Sequence, residues 1–411
     1  MFLFFVSFVT EAVGSLSGGR QVIEARWVLP ISQPPIENGW VAIEGGRVVA
    51  VGRTRHAAPS TQHAVAILPG LVNAHTHLEL SWMRHQVPPA ASMPQWVGRL
   101  MALRRTVGHE PHEPIVEAIR GARSSGTILF GDITNTLAAY EPLAATETPA
   151  AVFRELLGFN VADVEAVLRA TRQQLEAQQP NAWLRTSIVP HAPYSVSPAL
   201  LRRIALDSAA ARISIHLGES AEEVQFLREG TGPWRELLRG LGVWTDEWRA
   251  PGASPVDYIA AHGLLSDRLL AVHCVQLTVA DLAKLAAAGA TVVTCPRSNR
   301  WVGAGLPPME RFYASGVRVA VGTDSLASVE DLNLFAEMKM IRQLAPSVPA
   351  REILASATRH GADALGFGAE LGTIETGKRA DLIAVEIPAG VTDVEEYLVS
   401  GVQAERVRWI R

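Results

Sequence analysis

The stretch LPGLVNAHTHLELS (68–81) sets His75 and His77 one residue apart at the end of an apolar run. On an extended strand over 67–77, residues i and i+2 leave by the same face, so both imidazoles would converge. Converging neutral imidazoles suit a divalent metal such as zinc or iron. Taken alone, the pair also fits a polar exit from a strand into a loop. Other apolar runs end the same way. His191 follows LRTSIVP, His216 and Glu219 close ARISIHLGES, His273 closes LLAVH and Asp324 closes VRVAVGTD. An unsatisfied buried polar group costs about 1–3 kcal/mol. Ligand-competent groups at corresponding ends of several strands therefore point to a shared centre rather than to packing.

The elements that must position these groups alternate along the chain. Short β-branched runs at 126–134, 150–159, 184–196, 211–220, 269–277, 290–299 and 317–325 are separated by segments of helical period such as VADVEAVLRATRQQLEA. With AILPGLVNAHTH they make eight βα units. That number fits a closed (β/α)8 TIM barrel of class α/β, whose chemistry belongs at the C-terminal strand ends. An open doubly wound sheet is the alternative, but no G-x-G-x-x-G follows the first strand and no phosphate loop is present. Outside the barrel, VIEARWVLP and GWVAIEGGRVVAVG near the start share a strand-like texture with GTIETGKRADLIAVEI and ERVRWI near the end. A small β-sandwich domain assembled from both chain ends is expected. The division is a leader over 1–20, an N-terminal β-sandwich segment over 21–67, the barrel over 68–368 and a C-terminal β-sandwich segment over 369–411.

The 411-residue chain is 48% hydrophobic and 19% charged, with a formal net charge of −4. This is a globular composition without the basic field that nucleic acid requires. Cys274 and Cys295 offer no disulfide framework and sit in apolar runs, which fits a reducing, cytoplasmic compartment. MFLFFVSFVT is apolar, yet no Lys or Arg precedes it and no A-x-A-like cleavage site follows, so residues 1–20 read as a disordered or wrongly included leader, with export the alternative. The run is too short to span a bilayer, and no membrane partner is expected. Residues 226–262 carry Trp234, Trp244 and Trp248 among Gly and Pro; this insertion forms either a substrate wall or a small core of its own.

The set PGLVNAHTHLE, HLGES, AVHC, VGTDS and GTIETGKRADLIAV, in order over residues 21–411, resembles the amidohydrolase superfamily, in its branch of metal-dependent deaminases and chlorohydrolases. The resemblance implies that His75, His77, His216 and Asp324 bind one zinc or iron, zinc being favoured, and that His273 holds the attacking water. Dinuclear relatives bridge two metals with a carbamylated lysine on the fourth strand; no lysine precedes Lys284, so one metal is expected. Such an ion lowers the pKa of a water it polarises from roughly 15.7 toward roughly 7. Asp324 would accept the proton and Glu219 would protonate a ring nitrogen before ammonia leaves. The expected activity is deamination of a 6-aminopurine nucleoside-like small molecule. HTHLELS with VPPAASMPQWVGRL resembles the aminodeoxyfutalosine deaminases of menaquinone biosynthesis more than the methylthioadenosine/S-adenosylhomocysteine deaminases. A ring amide hydrolase or chlorohydrolase is the alternative, and a homodimer is expected.

Further residues are candidates for substrate contact. His191 in PHAPYS resembles a family histidine that meets the ring or ribose, with Tyr194 beside it. Arg154 is placed to meet an anionic substituent or to pair near Glu155. Glu79 and Trp82 are pocket walls, Glu79 in reach of a sugar hydroxyl. Ser298 and Asn299 either line the site or end the seventh strand.

Overall fold

The computed structural model describes residues 19–53, 64–107, 111–208 and 210–410. The leader expected over 1–20 lies outside them except for its last two residues. Fourteen strands occur among the described residues: β1 Gln21–Val28, β2 Ile36–Glu44, β3 Arg47–Arg53, β4 Val65–Pro69, β5 Leu71–Thr76, β6 Thr127–Thr134, β7 Ala150–Leu156, β8 Leu184–Pro190, β9 Ile213–Leu217, β10 Leu269–His273, β11 Thr291–Thr294, β12 Arg318–Val321, β13 Leu382–Glu386 and β14 Val407–Ile410.

Strands β5 to β12 are the eight parallel strands of the barrel, running as two four-stranded sheets in the orders β5-β6-β7-β8 and β12-β11-β10-β9. Backbone hydrogen bonds just past the C-terminal strand ends join the two sheets. His216 N donates to His191 O at 2.9 Å, and Thr323 N and Asp324 N both donate to His75 O at 3.1 Å. The groups singled out for chemistry are thus also the residues that close the circle. The interior below them is filled by Val72, Ala74, Ile133, Phe153, Val189, Val272, Val293 and Ala320, and from the other end by Leu365 and Phe367 behind the helix Arg359–Ala364. Helices cover the outside, as buried parallel strands require. Among the described residues no helix is long and apolar enough to cross a membrane.

The two chain ends meet in one six-stranded mixed sheet of order β14-β13-β4-β1-β2-β3, in which β13 pairs antiparallel with β4 and β1 parallel with it. The EGGR turn joins β2 to β3. The single strand expected over 67–77 proves to be two. β4 ends at Pro69 in the mixed sheet and β5 starts at Leu71 in the barrel. Gly70 joins them where a Cβ would lie 2.0 Å from Ile128. The tryptophan insertion packs chiefly on itself and on the barrel: Phe226 stacks on Trp248 at 4.4 Å and Phe159 on Trp244 at 5.6 Å. Trp234 and Trp248 are buried in the main core.

Candidate active site

Five histidines and three carboxyls meet at the C-terminal end of the barrel. β5 stops at Thr76, so His77 opens the 3-10 turn Leu78–Met83 rather than ending the strand, and the β5 register against β6 is irregular between Asn73 and Thr76. The two rings therefore approach edge to face, 5.0 Å apart at 84°, instead of lying side by side. Gly322 brings β12 against this corner: a Cβ there would stand 2.8 Å from both Cβ and O of His75.

The donor set fits a divalent cation. Ligand atoms of His75, His77 and His216 all lie within 4.8 Å of one another. Nε2 of His77 and Nε2 of His216 are 3.3 Å apart, and Asp324 Oδ1 lies 3.7 Å from His77 Nε2. Burial lowers the pKa of all three histidines, that of His216 to about 4, so the rings are neutral at physiological pH. Nδ1 of His216 donates to His191 O at 3.0 Å, which leaves its Nε2 as a bare lone pair turned toward His77. Both ring nitrogens of His75 are buried without a hydrogen-bond partner. Lone pairs gathered in this way need a cation between them.

Asp324 is held from two sides, by Ser298 Oγ on Oδ2 at 2.6 Å and by Ser325 N on Oδ1 at 2.8 Å. Glu219 is fully buried. Desolvation first, then the charges of Asp324 and Glu223, push its carboxyl well above the usual range. Its Oε2 has no partner, while Oε1 is 3.5 Å from His273 Nε2. The turn that presents it is fixed by Glu223, whose two oxygens accept from Gly218 N at 2.8 Å and Glu219 N at 3.0 Å. A protonated carboxyl with an oxygen free of protein partners can act as a proton donor.

The remaining expectations divide. His191 joins the cluster, its ring 4.8 Å from that of His216. Its Nδ1 lies 2.6 Å from Ser195 Oγ, and that hydroxyl donates to Ala192 O, so Nε2 of His191 is an acceptor. Tyr194 stacks on Trp234 at 3.9 Å. Trp82 lies on the turn after His77, half-buried.

Three residues expected at the substrate have protein partners in the structure. Glu79 is buried with both oxygens taken, by Thr134 and Thr136 hydroxyls, by the Asn135 and Thr136 backbone and by Arg104. It holds the protein together and has no oxygen left for a sugar hydroxyl. Arg154 takes the second of its two readings, pairing near Glu155: its guanidinium donates to Glu155 O at 2.6 Å and to Gln174 on the helix side of β7. Ser298 serves Asp324 and not the substrate.

The sequence reading missed Glu155, the neighbour of Arg154. It takes the inward position, with Oε1 3.4 Å from His216 Nδ1 and Oε2 accepting from Asn135 Nδ2 at 2.9 Å. The alternation Ala151, Phe153, Glu155 was the available signal, since the first two face the barrel interior.

Comparison with known proteins agrees with this geometry. A family model described as the amidohydrolase family matches residues 66–403. An aminodeoxyfutalosine deaminase from Deinococcus radiodurans is 33% identical over 350 residues, covering 80% of this chain and 81% of its own. A 5-methylthioadenosine/S-adenosylhomocysteine deaminase from Moorella thermoacetica is 31% identical over 395 residues, 90% of this chain and 86% of its own. Among solved structures, an adenosine deaminase from Xanthomonas campestris with bound zinc has a TM-score of 0.76 at 29% identity, over 94% of this chain and 90% of that one. The chain belongs to the amidohydrolase family and is a hydrolase acting on carbon–nitrogen bonds.

Proposed function

We propose that the protein deaminates a 6-aminopurine nucleoside-like small molecule, with aminodeoxyfutalosine the leading substrate, and that it uses one zinc ion. The observation that carries this reading is Glu219, a buried carboxyl kept neutral beside the histidine cluster with Oε2 unpartnered. Replacing an exocyclic amine on an aromatic ring needs a ring nitrogen protonated first, so that the adjacent carbon becomes electrophilic. A neutral carboxylic acid does this at neutral pH, whereas a carboxylate does not.

His75, His77, His216 and Asp324 would hold the metal, which when bound supplies positive charge and a water acidic enough to attack at neutral pH. Glu219 donates from Oε2 to the ring nitrogen. Asp324, 3.7 Å from His77, takes a proton from the attacking water as the new C–O bond forms. His273 keeps that oxygen in line. Asp324 then passes that proton to the amine, the C–N bond breaks as the remaining hydroxyl proton returns to Glu219, and ammonia and the oxo ring leave. The acceptor Nε2 of His191 suits a hydroxyl of the sugar-like portion.

The test is ammonia release by the zinc-loaded protein across aminodeoxyfutalosine, adenosine, methylthioadenosine, S-adenosylhomocysteine, guanine and a chlorotriazine, with Glu219→Gln as control. Turnover of one aminopurine nucleoside that is lost in the control supports the reading. Activity confined to the chlorotriazine, or silence with metal bound, moves the assignment to halide or ring-amide hydrolysis.

A further inference from the structure

We infer that Asn299 is a positioning residue that fixes His273 in the tautomer with its proton on Nε2 and, with the same amide nitrogen, tethers Glu219. The inference rests on the deaminase reading for its consequence but not for its geometry. Asn299 lies on the helix Pro296–Val302, directly after Ser298, and is fully buried. Its Nδ2 is 2.9 Å from His273 Nδ1 and 3.4 Å from Glu219 Oε1. An amide nitrogen only donates, so His273 Nδ1 must be the acceptor and the ring proton sits on Nε2. The reverse amide orientation would set Asn299 Oδ1 against Glu219 Oε1. That places two acceptors in contact unless the Glu219 proton abandons the free Oε2 for Oε1.

The consequence is a division of labour. His273 Nε2 is buried with no hydrogen-bond partner in the protein and lies 3.5 Å from Glu219 Oε1. Carrying the proton, it donates to the attacking oxygen and cannot serve as the base that deprotonates it. That task falls to Asp324, which the adjacent residue Ser298 holds at 2.6 Å. One short helix thus sets both partners, Ser298 acting on the base and Asn299 on the donor. The helix is itself anchored by Glu337, whose carboxyl oxygen accepts from Arg297 N at 3.2 Å.

Two substitutions separate this from simple packing. Asn299→Ala removes the donor and frees the ring to adopt either tautomer. Asn299→Asp keeps the shape but offers only acceptors: it draws the His273 proton to Nδ1, strips Nε2 of its hydrogen and opposes Glu219. Loss of a group that orients a site residue typically costs 10–100-fold. We expect kcat to fall about 10–100-fold in Asn299→Ala and further in Asn299→Asp, with KM within about threefold and zinc content unchanged in both. If Asn299→Asp matches or exceeds Asn299→Ala, the residue is a space-filler and the inference fails. The second readout needs no substrate. Proton–nitrogen correlation spectra of the 15N-histidine-labelled protein, with His273→Gln to assign the ring, should show an Nε2-protonated His273 in the wild type and loss of that pattern in Asn299→Asp. An Nδ1-protonated wild-type ring overturns the inference whatever the substrate proves to be. A correct tautomer with no turnover of any aminopurine would instead count against the deaminase reading alone.

Discussion

Gly322→Ala tests whether the metal site depends on how closely β12 approaches β5. A Cβ at position 322 would meet His75 Cβ and O at 2.8 Å and His75 N at 2.9 Å, where ordinary contact begins at 3.4 Å. None of these atoms belongs to a flexible side-chain end, so relief requires the backbones to separate by about 0.6 Å, beyond the ~0.5 Å to which site geometry must hold. The same carbonyl accepts from Thr323 N and Asp324 N, so the displacement moves His75 and Asp324 relative to each other. Overpacking of this kind costs about 1–3 kcal/mol, and misplaced ligands cost about 10–100-fold in metal affinity. The assay is zinc affinity by chelator competition, together with thermal melting with and without zinc. Gly98→Ala is the control, because its Cβ meets nothing within 4 Å in the helix Met93–Arg104. We expect Gly98→Ala to be neutral or to gain up to about 1 kcal/mol, and Gly322→Ala to lose both stability and zinc. Zinc affinity within twofold of wild type in a folded Gly322→Ala protein would refute the reasoning.

Burial pushes Glu337 up from 4.5 to about 8 despite Arg297. A raised folded pKa gives stability that is complete below pH 4.5 and lost as pH rises through 8. The neutral Glu337→Gln should therefore be more stable than wild type at pH 9 by roughly 2–5 kcal/mol and indistinguishable near pH 5, read by urea unfolding at both pH values. For Glu79, burial alone would raise the carboxyl, but Thr134, Arg104 and Asn135 outweigh it and hold it below 4.5. Its stability is present above the unfolded pKa and fades as pH falls through the lower folded value. Glu79→Gln should then lose about 1–3 kcal/mol at pH 7, with a smaller deficit at pH 3, seen in melting at the two pH values. Arg154→Ala should leave kcat/KM within about twofold, while Glu155→Gln, beside His216 Nδ1, should lower zinc affinity about tenfold or more; equal effects on zinc binding would contradict the opposite placement of these neighbours.

The site candidates were legible because barrel strands are mostly apolar and carry their functional groups at or just past the C-terminal end, although Arg185 and Ser214 show that β8 and β9 hold polar residues within them. That logic locates His191, His216, His273 and Asp324, and it fails by one residue on β7. In AAVFREL the alternation Ala151, Phe153, Glu155 marks the inward face, but the reading took the neighbouring Arg154 as the candidate, and the fold turns the carboxyl inward. Glu79 and Ser298 were read as substrate contacts because their positions beside the site are local facts. What they bind is not local: Thr134 is 55 residues from Glu79, and Asp324 is 26 from Ser298. The tryptophan insertion was open between a substrate wall and a core of its own, and its rings pack on one another and on the barrel. Its rings found Phe159 and Phe226 as stacking partners, and no spacing within 226–262 announces Phe159.

Backbone strain is the feature of the site least visible in the sequence. His273, Cys274 and Asp324 all have positive φ, at 70°, 56° and 63°, in a region that costs a non-glycine residue about 1–3 kcal/mol. Nothing in AVHC or VGTDS signals this, and glycine would be the cheaper residue at each position. The conformations persist because hydrogen bonds over-determine them. Cys274 N donates to Leu217 O and Asp324 N to His75 O, each across to the neighbouring strand of the closed barrel. The two strained turns carry the proposed water-holding donor, at the end of β10, and the proposed base, three residues past the end of β12. Strain at these positions thus coincides with the groups proposed to act, and the cross-strand hydrogen bonds offset part of its cost.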